Sequence, residues 1–322
     1  MDQFRESGRG RGGGTITHLS SATMFLSGDF AAVGTFGQQV TFGPYDLISD
    51  ASDRDSFVVR ISPIEGEGVL WVKALGQTPE QGSSVRETVA RAIADGWQET
   101  SYVAGHYEGE IVIANRWFRS NDVDAFLVKL DDRGSELWVA PIWGEGSQEA
   151  VAVATATITE SPFSQREVAY VGVWSQRGSI HFHGGSESHR GAMIQLSGRS
   201  GTVDWAVGFD GTIHDLASSP DGDVVVVGTF RASVNFDGLL LTSPSSFDTG
   251  FIVKYSSAGR PLWARMIPGR GPVRCREVEV TPLGEVVVAG TFDTAATFGL
   301  VEKVGFGGQD VFLLRLGPDG SW

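Results

Sequence analysis

An internal repeat is the strongest constraint on how this chain folds. VVVVGTFRASVNFDG at 224–238 and VVVAGTFDTAATFGL at 286–300 share a Gly-Thr-Phe triplet spaced 62 residues apart. A related glycine-bearing strand is predicted five times. Its glycines are assigned to Gly28, Gly105, Gly172, Gly228 and Gly290. Self-similarity at a fixed period is typical of repeat architectures, so each unit is expected to be one supersecondary element.

Three further strands accompany each glycine-bearing strand. Short alternating segments precede it, among them TIHDLASS and VRCREVEVT, and apolar segments follow it at 56–62, 125–131, 191–197, 250–256 and 311–317. A last strand carries a tryptophan in four units, at Trp71, Trp138, Trp205 and Trp263. The segment VRETVARAIAD resembles a helix in isolation, but its position in the repeat predicts a strand.

Five units of four antiparallel strands predict an all-β, five-bladed β-propeller in a single domain. The units are expected at about 14–76, 85–144, 148–209, 212–269 and 273–322. The last unit lacks an outer strand, and residues 2–7 align with the segment that supplies it elsewhere. We therefore expect the N-terminal strand to complete the fifth blade and close the ring, which protects the last sheet edge.

The segment DAFLVKLDDRGSELW at 124–138 resembles the unit of the bacterial SBBP β-propeller repeat family. The resemblance covers nearly the whole chain and implies the propeller fold. It also implies an extracellular or cell-surface setting, although the chain starts with no signal-peptide pattern. The family has no shared catalytic residues, so the resemblance implies no cofactor and no site residue.

Composition narrows the choice of partner. A net charge of −14 repels nucleic-acid phosphates, and no apolar run is long enough to insert into a membrane. The only cysteine, Cys275, lies in an alternating segment and is expected to be a buried small hydrophobe. We therefore expect a protein or glycan partner, with this chain as one part of a larger assembly.

Features that recur in every unit are explained by packing, whereas features of a single unit are better candidates for function. The recurring basic residues Arg60, Lys129, Lys254 and Arg315 are expected to form ion pairs; unit 3 has Gln195 there. Polar residues on the innermost strands are candidates for a ligand site in the channel. These are His18, Arg91, His214, Asp215, Arg276 and Glu277. His214 and Asp215 are adjacent and are expected to point to opposite faces of their strand.

Two other groups are candidates for binding. Four tryptophans lie outside the repeated position and are suited to stacking on sugars or anchoring a protein, provided that they cluster: Trp97, Trp117, Trp143 and Trp174. Trp117 also aligns with an apolar strand that would bury it. In unit 3, His181 and His183 are two residues apart and are expected to share one face of a strand, and His189 is within reach across the hairpin. These three histidines form either an exposed polar face or a site for zinc or nickel.

Three functions fit these patterns. The first is a non-enzymatic scaffold that presents a rigid surface to a protein or a glycan. The second is a carbohydrate-active or metal-dependent enzyme with its site at one mouth of the channel. The third is a purely structural spacer, which small and featureless mouths would favour. A tight cluster of histidine, arginine and carboxylate groups across blades favours the enzyme, whereas scattered ion pairs with exposed aromatic residues favour binding.

Overall fold

The computed structural model describes residues 15–49, 54–76 and 87–322. Within these ranges the chain forms antiparallel β-strands, and the only helix is a 3₁₀ turn at Trp97–Glu99. None of the described helical segments has the length and apolar character to cross a membrane. Residues 2–7, expected to complete the fifth unit, lie outside the described residues.

The first two units each supply four strands of a sheet, in the order first-second-third-fourth along the repeat. Unit 1 contains β1 (Thr15–Met24), β2 (Phe30–Gly37), β3 (Gln39–Phe42), β4 (Tyr45–Ile48), β5 (Asp55–Ile61) and β6 (Val69–Leu75), of which β3 and β4 form a separate hairpin. Unit 2 contains β7 (Glu87–Asp95), β8 (Ser101–Ile113), β9 (Arg116–Leu130) and β10 (Glu136–Trp143). The helix-like segment is thus a strand over the residues that the structure describes.

The next two units repeat this topology. Unit 3 contains β11 (Gln148–Ser161), β12 (Ser164–Ser175), β13 (Ile180–Phe182), β14 (Gly185–Glu187), β15 (Gly191–Ser197) and β16 (Val203–Phe209). Its hairpin pairs with β10, which extends the sheet of unit 2 to six strands. Unit 4 contains β17 (Thr212–Ser218), β18 (Val224–Phe230), β19 (Ser233–Phe236), β20 (Leu239–Thr242), β21 (Thr249–Tyr255) and β22 (Pro261–Ile267).

Unit 5 forms a sheet of three strands in the described part of the chain: β23 (Val273–Val280), β24 (Val286–Phe298) and β25 (Val301–Leu316). The first strands of the five units lie next to one another in chain order, and each pair of consecutive sheets shares a hydrophobic core. The all-β prediction and the antiparallel sheets are confirmed, and the arrangement is propeller-like.

The repeated glycine is assigned wrongly from the sequence in two units. In unit 1 the equivalent residue is Gly34, because it pairs with Phe57 as Gly228 pairs with Phe251. Gly28 lies in a turn, with a φ angle of +90°. A Cβ on Gly228 would lie 1.9 Å from the carbonyl oxygen of Thr212, so only glycine fits against the bulged first strand.

In unit 3 the same position is Val173, and Gly172 is its neighbour. Val173 pairs with Ala192, where units 1, 2, 4 and 5 pair glycine with phenylalanine. The larger residue on one strand is thus matched by a smaller one on the next, which conserves the packed volume.

A tryptophan contact joins each sheet to the next. The Trp71 indole N–H donates a hydrogen bond of 2.9 Å to the carbonyl of Asp132 in unit 2, and Trp263 donates one of 3.0 Å to Pro318 in unit 5. Trp138 and Trp205 make the same contact with units 3 and 4. A turn glycine of the accepting unit lies against each ring, as Gly134 does on Trp71, with no room for a Cβ. The repeated tryptophan is therefore a connection between units.

Within the part of the chain that the structure describes, one apolar face of the fifth sheet is not covered by another sheet. Leu313 is 75% exposed, whereas the equivalent residue in each preceding unit is completely buried by the following sheet. Those residues are Val58, Leu127, Met193 and Ile252. Val311, on the same face, is 78% exposed.

We expect the substitution Trp71→Phe to lower the free energy of unfolding by about 1–3 kcal/mol, because it leaves the Asp132 carbonyl without its indole donor. Urea denaturation followed by circular dichroism measures this loss. Trp117→Phe is the matched control, because Trp117 is 55% exposed and its replacement should change stability by less than about 0.5 kcal/mol. Equal effects of the two substitutions would contradict a role for the indole in joining the sheets.

Candidate functional site

All five units contribute to one cavity, with a volume of about 650 Å³, at the ends of their first strands. A binding pocket for a small molecule or a few side chains has this size. Its wall consists of Phe25 and Leu26 of unit 1, residues 95–99 of unit 2, residues 155–157 and Glu167 of unit 3, residues 218–220 of unit 4, and Val280 and Pro282 of unit 5.

Hydrogen bonds between neighbouring first strands fix the shape of this wall. The Thr155 hydroxyl donates to the carbonyl of Asp95 at 2.6 Å, and the Ser218 hydroxyl donates to the carbonyl of Thr155 at 2.5 Å. On the other side, the Thr23 hydroxyl donates to the Asp95 carboxylate at 3.3 Å. These bonds link units 1 to 4 around the cavity, so the wall is held in place without a ligand.

Glu167 is held by a buried ion pair. Its carboxylate lies 2.6 Å from Nζ of Lys129 and also accepts a hydrogen bond from the backbone N–H of Trp97. The Lys129 ammonium lies 4.8 Å from the centre of the Tyr102 ring, and burial together with Glu167 raises the pKa of that tyrosine. Because both ions are buried, the hydrogen bonds of the pair offset the loss of contact with water.

Glu99 is held in a similar way on the next part of the wall. The guanidinium of Arg60 contacts the carboxylates of both Glu99 and Asp29, and lies 4.1 Å from the centre of the Phe25 ring. Arg60 is buried, so a cation from unit 1 stands behind the wall and neutralises an acid from unit 2. The other recurring cations also form ion pairs, Lys254 with Asp223 and Arg315 with Glu285.

Trp97 is the aromatic residue that the cavity exposes to solvent. It is 41% exposed, and its indole N–H donates to the Thr157 hydroxyl at 2.8 Å. The next two residues, Gln98 and Glu99, have φ angles of +55° and +61°. Residues other than glycine rarely adopt such backbone angles. The strained turn places the indole at the mouth, where it is partly accessible to a partner.

The polar residues expected in the channel are not among those that line this cavity. Arg91 makes an ion pair of 3.2 Å with Glu149. His18, Arg276 and Glu277 are exposed on their first strands. The convergence of these side chains on one site is therefore not observed.

His214 and Asp215 do not behave as neighbours on a regular strand. A β-bulge interrupts the register between Ile213 and Asp215, and both side chains contact β23 of unit 5. The His214 ring hydrogen-bonds to the carbonyl of Cys275 at 2.6 Å, and the Asp215 carboxylate accepts the backbone N–H of Val278 at 2.8 Å. The prediction that they point to opposite faces is wrong, because the bulge adds a residue to the strand.

The four unrepeated tryptophans do not form one cluster. Trp97 lines the cavity, whereas Trp117 is exposed on β9, which is the opposite of the burial suggested by its alignment. Trp174 is half-buried on β12. Trp143 lies near two imidazoles, with ring-centre distances of 6.3 Å to His181 and 5.4 Å to His183.

The third candidate histidine is placed elsewhere. The His189 ring lies 3.5 Å from the carboxylate of Glu187. In the described ranges no three histidine, cysteine, aspartate or glutamate side chains are close enough together to hold a metal ion. The alternative of a zinc or nickel site at His181, His183 and His189 is therefore not supported by the geometry.

Apart from Trp97, the wall residues were not predicted, because they lie on separate strands and turns of five units that only the tertiary structure brings together. One signal was present: the dipeptides Ser219–Pro220 and Thr281–Pro282 occupy the same place in units 4 and 5. Turns at equivalent places in a radial repeat meet at one end of its axis.

No protein-family model matches the sequence, and no curated protein matches it. The relation to SBBP repeats thus stays a prediction. A solved structure from Bacteroides caccae, of a protein of unknown function, aligns over 94% of this chain and 79% of its own, with 11% identity and a TM-score of 0.39. A glucose dehydrogenase structure aligns over 85% of this chain and 94% of its own, with 9% identity and a TM-score of 0.34. Neither similarity is strong enough to indicate what this chain does.

We expect Asp215→Asn to change how stability depends on pH. Burial, with smaller contributions from Glu277 and Glu279, raises the Asp215 pKa to about 7. The folded state therefore binds more protons than the unfolded state between about pH 4 and 7, and this group's contribution to stability falls as the pH rises through that window.

The difference in unfolding free energy between the variant and the wild type should therefore shift in favour of the variant from pH 5 to pH 8. Urea denaturation at both pH values measures this shift. Asp46→Asn, at an exposed carboxylate on β4, is the control and should leave the pH dependence unchanged. Parallel pH profiles for wild type and Asp215→Asn would contradict the raised pKa.

Proposed function

We propose that this protein is a non-enzymatic binding scaffold whose protein or glycan partner docks at the cavity mouth. The observation that carries the proposal is the contribution of all five units to one cavity with a pre-formed wall. A wall built from five sheets changes little on binding, so a partner meets a site that is already organised.

The state of the acidic groups favours binding over catalysis. Glu167 is paired with Lys129 and Glu99 is paired with Arg60, each by a cation that lies behind the wall. A carboxylate that acts as a general acid or base must contact the proton of its substrate, whereas both of these carboxylates already contact a cation of the protein. The two glutamates are therefore suited to shaping the wall.

The mouth itself is suited to a contact surface. The indole of Trp97 is open, Leu26 is fully exposed, and Pro220 and Pro282 add apolar surface from units 4 and 5. Exposed apolar side chains around a concave site are typical of places where a partner is bound. The partner would contact several units at once.

The finer architecture is part of the same proposal. We infer a closed, five-bladed ring in which the fifth sheet packs against the first and residues 2–7 add the fourth strand to unit 5. The exposed face at Val311 and Leu313 supports this inference, because the equivalent faces of units 1 to 4 are all covered by the next sheet. Units 1 and 5 already line the same cavity.

Ring closure predicts that a charged residue at position 313 lowers the free energy of unfolding. We expect Leu313→Asp to cost about 3 kcal/mol or more of unfolding free energy, because closure would bury a carboxylate in an apolar interface. Leu240→Asp on β20 is the control, since Leu240 is 64% exposed and lies outside the inferred interface. A loss at Leu313 no greater than that at Leu240 would contradict closure.

The binding site is tested by screening the intact protein against a glycan array and a peptide library. We expect ligands that raise the melting temperature of the wild type and lose most of this effect in Trp97→Ala, with at least a tenfold weaker Kd by isothermal titration calorimetry. Trp117→Ala, which removes an exposed tryptophan away from the cavity, should bind normally. Ligands that are insensitive to Trp97→Ala, or that the protein converts into product, would contradict the proposal.

A further inference from the structure

The cavity wall carries acidic side chains and no basic ones. Asp95, Glu99 and Glu167 line it, and none of the described lining residues is lysine, arginine or histidine. The cations Lys129 and Arg60 compensate Glu167 and Glu99. Asp95 differs, since among the described residues its carboxylate has an uncharged partner, the Thr23 hydroxyl at 3.3 Å, and no ion pair. Its negative charge is available to a ligand.

A buried hydroxyl adds a second polar group at the wall. Ser219 is 5% exposed, and its Oγ makes no hydrogen bond to any described residue. A buried hydroxyl without a partner is unfavourable, so a ligand that supplies a hydrogen bond is stabilised there. Ser219 belongs to unit 4 and Asp95 to unit 2, so the two polar groups belong to different parts of the wall.

Apolar groups complete the chemistry of the site. The exposed indole of Trp97 lies two residues beyond Asp95, and an indole face attracts cations as well as hydrocarbon. Leu26 and Pro282 offer hydrocarbon at the mouth. A ligand with an aliphatic stem and a positively charged end matches both the apolar mouth and Asp95.

The net charge of the whole chain also favours a positively charged partner. A net charge of −14 attracts cationic partners and raises the rate at which they encounter the protein. A cavity of about 650 Å³ is larger than one lysine side chain, so it has room for a short segment.

Building on the binding function proposed above, we propose that the cavity binds a basic segment of a partner protein. One lysine or arginine side chain of that segment places its charged end at the Asp95 carboxylate, and its aliphatic stem lies against Trp97. The charge–charge contact with Asp95 supplies the preference for a basic residue, while the mouth supplies apolar contact area.

The test uses three synthetic peptides that differ at two positions only: acetyl-Gly-Lys-Leu-Lys-Gly-amide and its norleucine and glutamate counterparts. Isothermal titration calorimetry on the intact protein should give a Kd for the lysine peptide at least tenfold lower than for either counterpart. That preference should shrink at 0.5 M NaCl, because salt screens the contact with Asp95. This comparison needs no variant of the protein.

Asp95→Asn should weaken the lysine peptide at least tenfold and leave the norleucine peptide unchanged. The matched control is Asp46→Asn, because Asp46 is also a carboxylate that accepts a threonine hydroxyl, from Thr41 at 2.6 Å, but it lies outside the cavity. Circular dichroism and the melting temperature confirm that both variants fold.

Equal binding of the three peptides would overturn the basic-segment proposal, and so would an Asp95→Asn variant that keeps its preference for lysine. If the peptides bind without a preference for lysine and Trp97→Ala still abolishes their binding, the binding function at the mouth stands. Spermidine, as a free polyamine, is the competing source of the same charge. Spermidine that binds as tightly as the lysine peptide would overturn the assignment to a protein segment.

Discussion

The contact between each sheet and the next is the interaction on which the rest of this structure depends. A β-sheet of three or four strands has two faces, and neither can be left in water without cost when both are apolar. Here each tryptophan donates its indole N–H to a turn carbonyl of the following unit, as Trp71 does to Asp132, while a turn glycine lies flat against the ring. The hydrogen bond fixes the position of the next sheet, and the apolar cores then fill the space between them.

These contacts also explain why the cavity forms where it does. Once consecutive sheets are fixed by their outer strands, the first strands are brought side by side and their terminal turns meet at one end. Hydrogen bonds such as that from Ser218 to Thr155 then connect one unit to the next across the wall. The buried cations Arg60 and Lys129 complete the junctions by neutralising acids of the following unit. The geometry of the candidate site is thus a consequence of inter-sheet packing.

The β-bulge of the first strand in unit 4 changes where its polar side chains point. In unit 4 it turns both His214 and Asp215 toward the neighbouring strand β23, where they hydrogen-bond to backbone groups. A regular strand, in which successive side chains point to opposite faces, would place the two residues on opposite sides of the sheet. In unit 4 the carbonyl of Thr212 occupies the space that a Cβ on Gly228 would need, so glycine fits there opposite the bulged strand. The polar groups singled out in the first strands consequently stabilise the junctions.

Sequence alone predicted the strands, their recurrence along the chain and the ion pairs of the recurring cations, because short-range periodicity and repetition are properties of the chain itself. It also identified Trp97 as a candidate, although not the reason, since the open indole follows from a turn with positive φ at Gln98 and Glu99. Only the tertiary structure decided that Asp95, Glu167 and Ser219 share a wall, because they lie in three different units and meet through packing between sheets. The same holds for the histidines of unit 3. His181 and His183 share a face as their spacing requires, but the path of the chain after β14 takes His189 to Glu187.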